Sequence, residues 1–187
     1  MSMRNGPWPV VPQPFTDEAF GSWFGRLALR YRINVDELAD QAGVLLDFGP
    51  DCSRWLATPA PVGTSLRRLA TLCRLPLEVL QGMGAGGDQA GRFLFCDKCF
   101  FLNPEDVTAP YWKTSWLHGP QTHCSRHEVR YDYLLSSTLT RQRNLRSIQR
   151  YISKRKRLRA RKLSELSETQ LFLRGLHMCS SNILGHQ

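Results

Sequence analysis

The chain has 187 residues, 42% of them hydrophobic, and a formal charge of +9 from 25 Lys and Arg against 16 Asp and Glu. That length allows one medium domain or two small ones, each near the size at which a hydrophobic core alone is marginal. No run approaches 18 apolar residues and the opening MSMRNGPWPVVPQPF has no signal-like core, so the expectation is a cytoplasmic protein with reduced cysteines and no membrane span.

Residues 1–15 carry Pro7, Pro9, Pro12 and Pro14, which forbid a helix and predict an extended arm. Thr16 then reads as an N-cap with Phe15 and Phe20 at the staple positions, predicting a helix over Asp17 to Tyr31 with Phe20, Trp23, Phe24, Leu27, Ala28 and Tyr31 on one face. Asn34 and Glu37 form a capping box for a helix over Val35 to Ala42 that ends at Gly43. This stretch reads equally as the first helix and turn of a helix-turn-helix or as a helical hairpin that only packs.

Thr64 is expected to cap another helix through Leu66, Leu69, Ala70 and Cys73, and Leu77, Val79 and Leu80 a short one ending near Gly82. Five glycines between Gly82 and Gly91 predict a linker, without the Gly-Lys-Ser or Gly-Lys-Thr of a phosphate loop.

Phe93, Leu94 and Phe95 read as a strand leading into Cys96, with Asp97 and Lys98 as the turn before Cys99. Cys96 with Cys99, and Cys124 with His127, have the Cys-x-x-Cys and Cys-x-x-His spacing that turns two donors of each pair toward one ion. Structural zinc is the expected occupant, because an imidazole among the ligands disfavours an iron–sulfur cluster. Four protein ligands leave no open coordination position, so catalysis by the metal is not expected. A cysteine pair that cycles as a dithiol is the competing reading of Cys96 and Cys99. Cys52, Cys73 and Cys179 are isolated and read as small buried hydrophobes.

The charge is concentrated. Arg141 to Lys162 hold 11 of the 25 cations and no acid, which leaves the rest of the chain close to neutral. Lacking Gly and Pro, residues Leu139 to Lys162 are expected to form one helix with an apolar seam of Leu145, Ile148 and Ile152. Arg143, Arg146, Arg150, Lys154, Arg155, Arg157, Arg159 and Arg161 are its candidate contacts to DNA phosphates. Ser167 with Gln170 forms a further capping box ahead of a short apolar terminal helix.

The stretches PFTDEAFGSWFGRLALRY, LRRLATLCRLPLEVLQGM and FCDKCFFLNPEDVTAPYWKTSWLHGPQTHCSRH, with Trp23, Trp112 and Trp116 among them, resemble the TniQ/TnsD family of transposition proteins. The resemblance runs from about Pro9 to Leu135 and implies a bacterial accessory protein without catalysis of its own. Such a protein links target selection to an AAA+ transposition ATPase, at a specific DNA site or at an RNA-guided complex such as a CRISPR-associated transposon uses. The second cysteine pair of many members has no counterpart over Tyr131 to Thr140, and the long DNA-reading region of TnsD-type members is not seen, so the chain looks like the short TniQ form.

The expected architecture is mainly α: an extended arm over 1–15, a helix-turn-helix-like helical domain over 16–82, a linker over 83–91, a zinc ribbon over 92–138, and a basic helix and terminal helix over 139–187. A zinc-containing DNA-binding transcription regulator shares these features, and a cytosolic dithiol oxidoreductase is the alternative from another class.

Overall fold

The computed structural model describes residues 6–84, 91–103, 110–118 and 121–183, with the stretch from 166 onward described by its backbone alone. It is mainly helical: α1 (Phe20–Tyr31), α2 (Val35–Ala42), α3 (Gly63–Cys73), α4 (Leu77–Gly82), α5 (Asp97–Phe101), α6 (Ser136–Arg141) and α7 (Leu145–Ile183), with strands β1 (Arg92–Phe95) and β2 (Asp132–Leu135) paired antiparallel. The chain divides into two units, Met1–Gln149 and Arg150–Gln187. Most of the linker expected over 83–91 falls on residues 85–90, outside the described residues.

In the first unit α1 lies at the centre, with Phe20, Trp23, Phe24, Leu27 and Ala28 fully enclosed. It begins three residues later than its capping signals predict. Residues 17–19 pair instead with the segment around Lys113: the Ala19 N–H donates to the Trp112 carbonyl at 2.9 Å and the Thr114 N–H to the Asp17 carbonyl at 2.8 Å. Two long-range backbone bonds replace the first helical turn, so tertiary pairing overrides local capping. Phe15 correspondingly leaves its staple position and packs on Tyr111, ring centroids 4.7 Å apart, with the Arg26 guanidinium 4.2 Å from its own ring centre.

The arm is extended but not free. The Trp8 N–H donates to the Leu72 carbonyl at 2.7 Å, and Trp23 Nε1 donates to the Pro12 carbonyl at 2.8 Å.

The other face of α1 carries Gly21 and Gly25, and both are buried. A Cβ on Gly21 would stand 2.1 Å from the Trp55 carbonyl oxygen, and one on Gly25 would stand 2.5 Å from the Trp55 ring. Their missing side chains let the short 3-10 turn Trp55–Ala57 lie directly against the helix. Gly21→Ala is expected to cost at least about 2 kcal/mol, since backbone rather than a flexible side chain must give way. A chemical-denaturation midpoint equal to wild type would disprove this packing.

The α2 boundaries and its capping box are as predicted; the Asn34 N–H donates to Glu37 Oε2 at 2.9 Å. Gly43 closes α2 in the left-handed region, at φ 60°. No helix follows that turn directly, because residues 44–62 hold only the 3-10 turns Pro50–Cys52 and Trp55–Ala57 before α3 begins. Asp47-Phe48-Gly49-Pro50 explains this: Gly49 takes φ 70° with its N–H on Asp47 Oδ1, and Pro50 cannot continue a helix inward. The α3 helix starts at Gly63, one residue ahead of the expected Thr64 cap.

The single helix expected over Leu139 to Lys162 is two. Gln142 takes non-helical angles, φ −108° and ψ 77°, and its carbonyl accepts the Trp55 indole N–H at 3.2 Å. Asn144 then restarts the chain as an N-cap, its Oδ1 accepting the Ser147 N–H at 2.9 Å. The new helix runs unbroken to Ile183, so Ser167 stands inside it and not at a helix start.

A candidate metal centre

The strand β1 delivers Cys96, and Asp97 and Lys98 open the one-turn helix α5 instead of forming a simple turn, which carries Cys99 inward. The second pair sits at the tip of a hairpin. The Cys124 N–H donates to the Val129 carbonyl at 2.9 Å, the Tyr131 N–H to the Thr122 carbonyl at 2.8 Å, and His123 bridges Arg130. This hairpin continues into β2, whose register with β1 places Phe93 opposite Leu134. The sheet therefore holds the two pairs against each other.

Cys96, Cys99 and Cys124 are buried and His127 is half-buried, and the four donor atoms lie within 4.8 Å of one another. His127 turns its Nδ1 to the thiols, 3.4 Å from Cys96 Sγ, 3.2 Å from Cys99 Sγ and 3.7 Å from Cys124 Sγ, while Cys99 and Cys124 stand 3.7 Å apart. Bond lengths of about 2.3 Å to sulfur and about 2.0 Å to nitrogen in a tetrahedron imply separations of about 3.8 Å between sulfurs and about 3.5 Å between sulfur and nitrogen. The residues thus fit one four-coordinate ion.

The surroundings of the thiols fit as well. Burial pushes Cys96 up and Cys99 up to about 12, the neighbouring thiols adding to it at Cys99. At Cys124 burial also pushes up, but the backbone N–H groups of His127 and Arg126, together with hydrogen bonds from the Cys96 and Cys99 thiols, bring that thiol below its ordinary value. The Cys99 N–H plays the same part toward Cys96. Backbone N–H groups aimed at sulfur are what a two-residue knuckle provides for thiolates, and a cation between them removes their mutual repulsion.

The aromatic residues around the centre form its support. Trp112 is fully buried between Phe95 (5.2 Å) and Phe100 (5.6 Å) and meets Trp116 edge to face at 5.6 Å. Trp112 is tied to α1 through its backbone N–H, which donates to Ser22 Oγ at 2.8 Å. Ser22 in turn donates to Glu18 Oε1 at 2.8 Å, and Glu18 is 2% exposed and paired with Arg26 at 2.6 Å. Ser22, Glu18 and Arg26 had no place in the sequence reading of the site; the one signal for them was a Ser and an Arg four residues apart on α1.

His118 and His123 stay out of the cluster, and His123 Nδ1 lies 2.8 Å from Thr122 Oγ1. Cys73 is buried with its thiol pushed up to about 12, Cys52 is half-buried, and the Cys179 side chain lies outside the described residues.

Of the candidate phosphate contacts, Arg143 is half-exposed and pairs with Asp36 at 3.3 Å. Arg146 and Arg150 are exposed. Along α7 Lys154, Arg157, Arg159 and Arg161 are exposed and Arg155 is half-buried; Arg161 also reaches Glu165 at 3.0 Å. No helix among the described residues is long and apolar enough to cross a membrane.

These features define a mainly helical module with a buried Cys3His cluster able to hold one metal ion. The chain matches the TniQ family over residues 9–130, about two thirds of its length, and belongs to that family. Membership suggests a transposition-associated adaptor rather than an enzyme. Comparison with curated proteins gives no match.

Proposed function

We propose that the chain is a non-catalytic target-selection adaptor in DNA transposition, which binds an AAA+ transposition ATPase and contacts DNA backbone through Arg143, Arg146, Arg150, Lys154, Arg155, Arg157, Arg159 and Arg161. Its target is either a DNA site or an RNA-guided complex. Residues 16–82 act as a helix-turn-helix-like domain, and residues 92–138 as a zinc ribbon with one structural zinc on Cys96, Cys99, Cys124 and His127. The observation that carries this reading is the convergence of those four donors on one point within a TniQ-family chain. Three thiolates and an imidazole suit zinc, and their closure argues for assembly over chemistry. The same convergence speaks against a cycling Cys96–Cys99 dithiol, because Cys99 Sγ is as close to His127 and Cys124 as a shared ion requires.

The test is co-purification of the full chain with the AAA+ ATPase encoded beside it, with and without duplex DNA. The expected result is retention of the ATPase, strengthened by DNA. Absence of binding in both conditions would refute the adaptor reading, and finding no ATPase or transposase gene nearby would favour a transcription regulator.

A further inference from the structure

Residues 26–38, RLALRYRINVDEL, and residues 68–80, RLATLCRLPLEVL, repeat one another at an offset of 42 positions. The repeat is structural too. The α1 helix ends on Arg32 at φ 59°, ψ 34°, and α3 on Arg74 at φ 53°, ψ 36°. The Ile33 N–H donates to the Ala28 carbonyl at 3.2 Å, and the equivalent Leu75 N–H to the Ala70 carbonyl at 3.1 Å. The following helices begin at matching positions, Val35 and Leu77. The first unit therefore contains one two-helix element twice.

Five positions are identical in both copies, and four of them have a role inside the fold. Leu27 and Leu69 are fully buried, as are Leu38 and Leu80. Ala28 and Ala70 accept the closing bonds just described. Arg26 bonds Glu18, and Arg68 donates its Nε–H to the Ala42 carbonyl, the last of α2. The fifth pair, Arg32 and Arg74, is exposed in both copies, and neither side chain has a hydrogen bond or ion pair among the described residues.

Each of these arginines also occupies a left-handed helix end, where a side chain is strained and glycine is favoured. The chain itself uses glycine at the equivalent end of α2, Gly43 at φ 60°. A strained, exposed cation kept at the same place in two copies whose neighbours differ (Tyr31 against Cys73, Asn34 against Pro76) serves something outside the fold. Trp8 shows that the two ends share an edge: its N–H bonds the Leu72 carbonyl and its ring lies 5.9 Å from that of Tyr31.

We infer that Arg32 and Arg74 are a paired contact for two phosphates of a nucleic-acid backbone. A guanidinium matches phosphate oxygens with paired N–H donors, and two equivalent cations match a repeating anion better than a single acidic side chain. This inference rests on the reading that the chain works on DNA, and adds a contact separate from α7.

The test measures binding of the full chain to a fluorescent duplex of arbitrary sequence across a salt series. The double variant R32Q/R74Q is expected to lower the slope of log K against log salt by about 2 and to weaken binding at 0.1 M salt about ten- to a hundredfold. The double variant R32G/R74G should lose the same slope while its melting temperature holds or rises, because glycine relieves the left-handed strain. An unchanged slope in both variants would overturn the inference, as would a glycine variant that melts lower and binds DNA normally, since the arginines would then serve only as helix caps. A loss of ATPase retention with normal DNA binding would also overturn it and make the pair a protein contact. In parallel, R150Q/R157Q/R159Q/R161Q reports on α7: a slope lost there but kept in R32Q/R74Q refutes the pair and leaves the proposed α7 contact standing.

Discussion

Replacing Cys99 with Ser, or stripping the protein with a strong chelator, is expected to abolish the cooperative thermal transition of the region 92–135. Structural zinc contributes on the order of 10 kcal/mol, comparable to the whole stability of a small domain, about 5–15 kcal/mol. The sheet alone cannot hold the two ligand pairs together. The sheet has two strands of four residues, and a lone two-stranded hairpin is marginal in water. Without the ion, three buried thiols and an imidazole would face one another within 4.8 Å. Trp112 and Trp116 pack on this support, so their fluorescence should shift toward solvent-exposed values on chelation and recover on adding zinc. Cys73→Ala is the control: its thiol is buried away from the cluster, so zinc content should stay at wild-type level. A C99S variant that melts like wild type would refute the structural role of the metal.

Arg26→Ala is expected to cost about 3–5 kcal/mol at neutral pH, because it leaves the 2%-exposed Glu18 carboxylate buried without its cation. In the wild type, burial pushes the Glu18 carboxyl up, while Arg26, then Ser22 and the Phe15 N–H, pull it back. Removing Arg26 deletes the strongest of the opposing influences, so the carboxyl of the variant titrates higher still. A carboxyl raised in the folded state favours folding while protonated and loses that contribution as pH rises through its folded value. The stability deficit of R26A should therefore shrink as pH is lowered from 7 toward its ordinary range near 4.5. Denaturation midpoints measured across that range check both the size and the sign. A deficit that grows on acidification would mean that Glu18 is not the group exposed by the substitution.

Legibility in the sequence followed the range of the interactions. The α2 helix was readable to the residue because its determinants, Asn34, Glu37 and Gly43, lie within ten positions. The four clustered donors were readable as candidates because each pair is a local knuckle; only their meeting across the sheet required the fold. The start of α1 was misjudged because the backbone partners of residues 17–19 lie more than 90 positions away. The break before α7 had a local signal in Asn144 and Ser147, but what opens it is the Trp55 indole, 87 positions earlier. Gly21 and Gly25 carried no local signal of their role, because what they seat is Trp55, thirty positions or more along the chain. The 42-residue repeat was visible in the letters alone, yet it gained meaning only when Arg32 and Arg74 were found at matching left-handed ends.

The account turns on all four donors being engaged by one ion with no position left for substrate or water. X-ray absorption at the zinc edge of the purified full chain tests this directly. The predicted spectrum has about one zinc per chain, three sulfurs at about 2.3 Å and one nitrogen at about 2.0 Å. A bound oxygen in place of one of these ligands, or protein that holds no zinc, would contradict it.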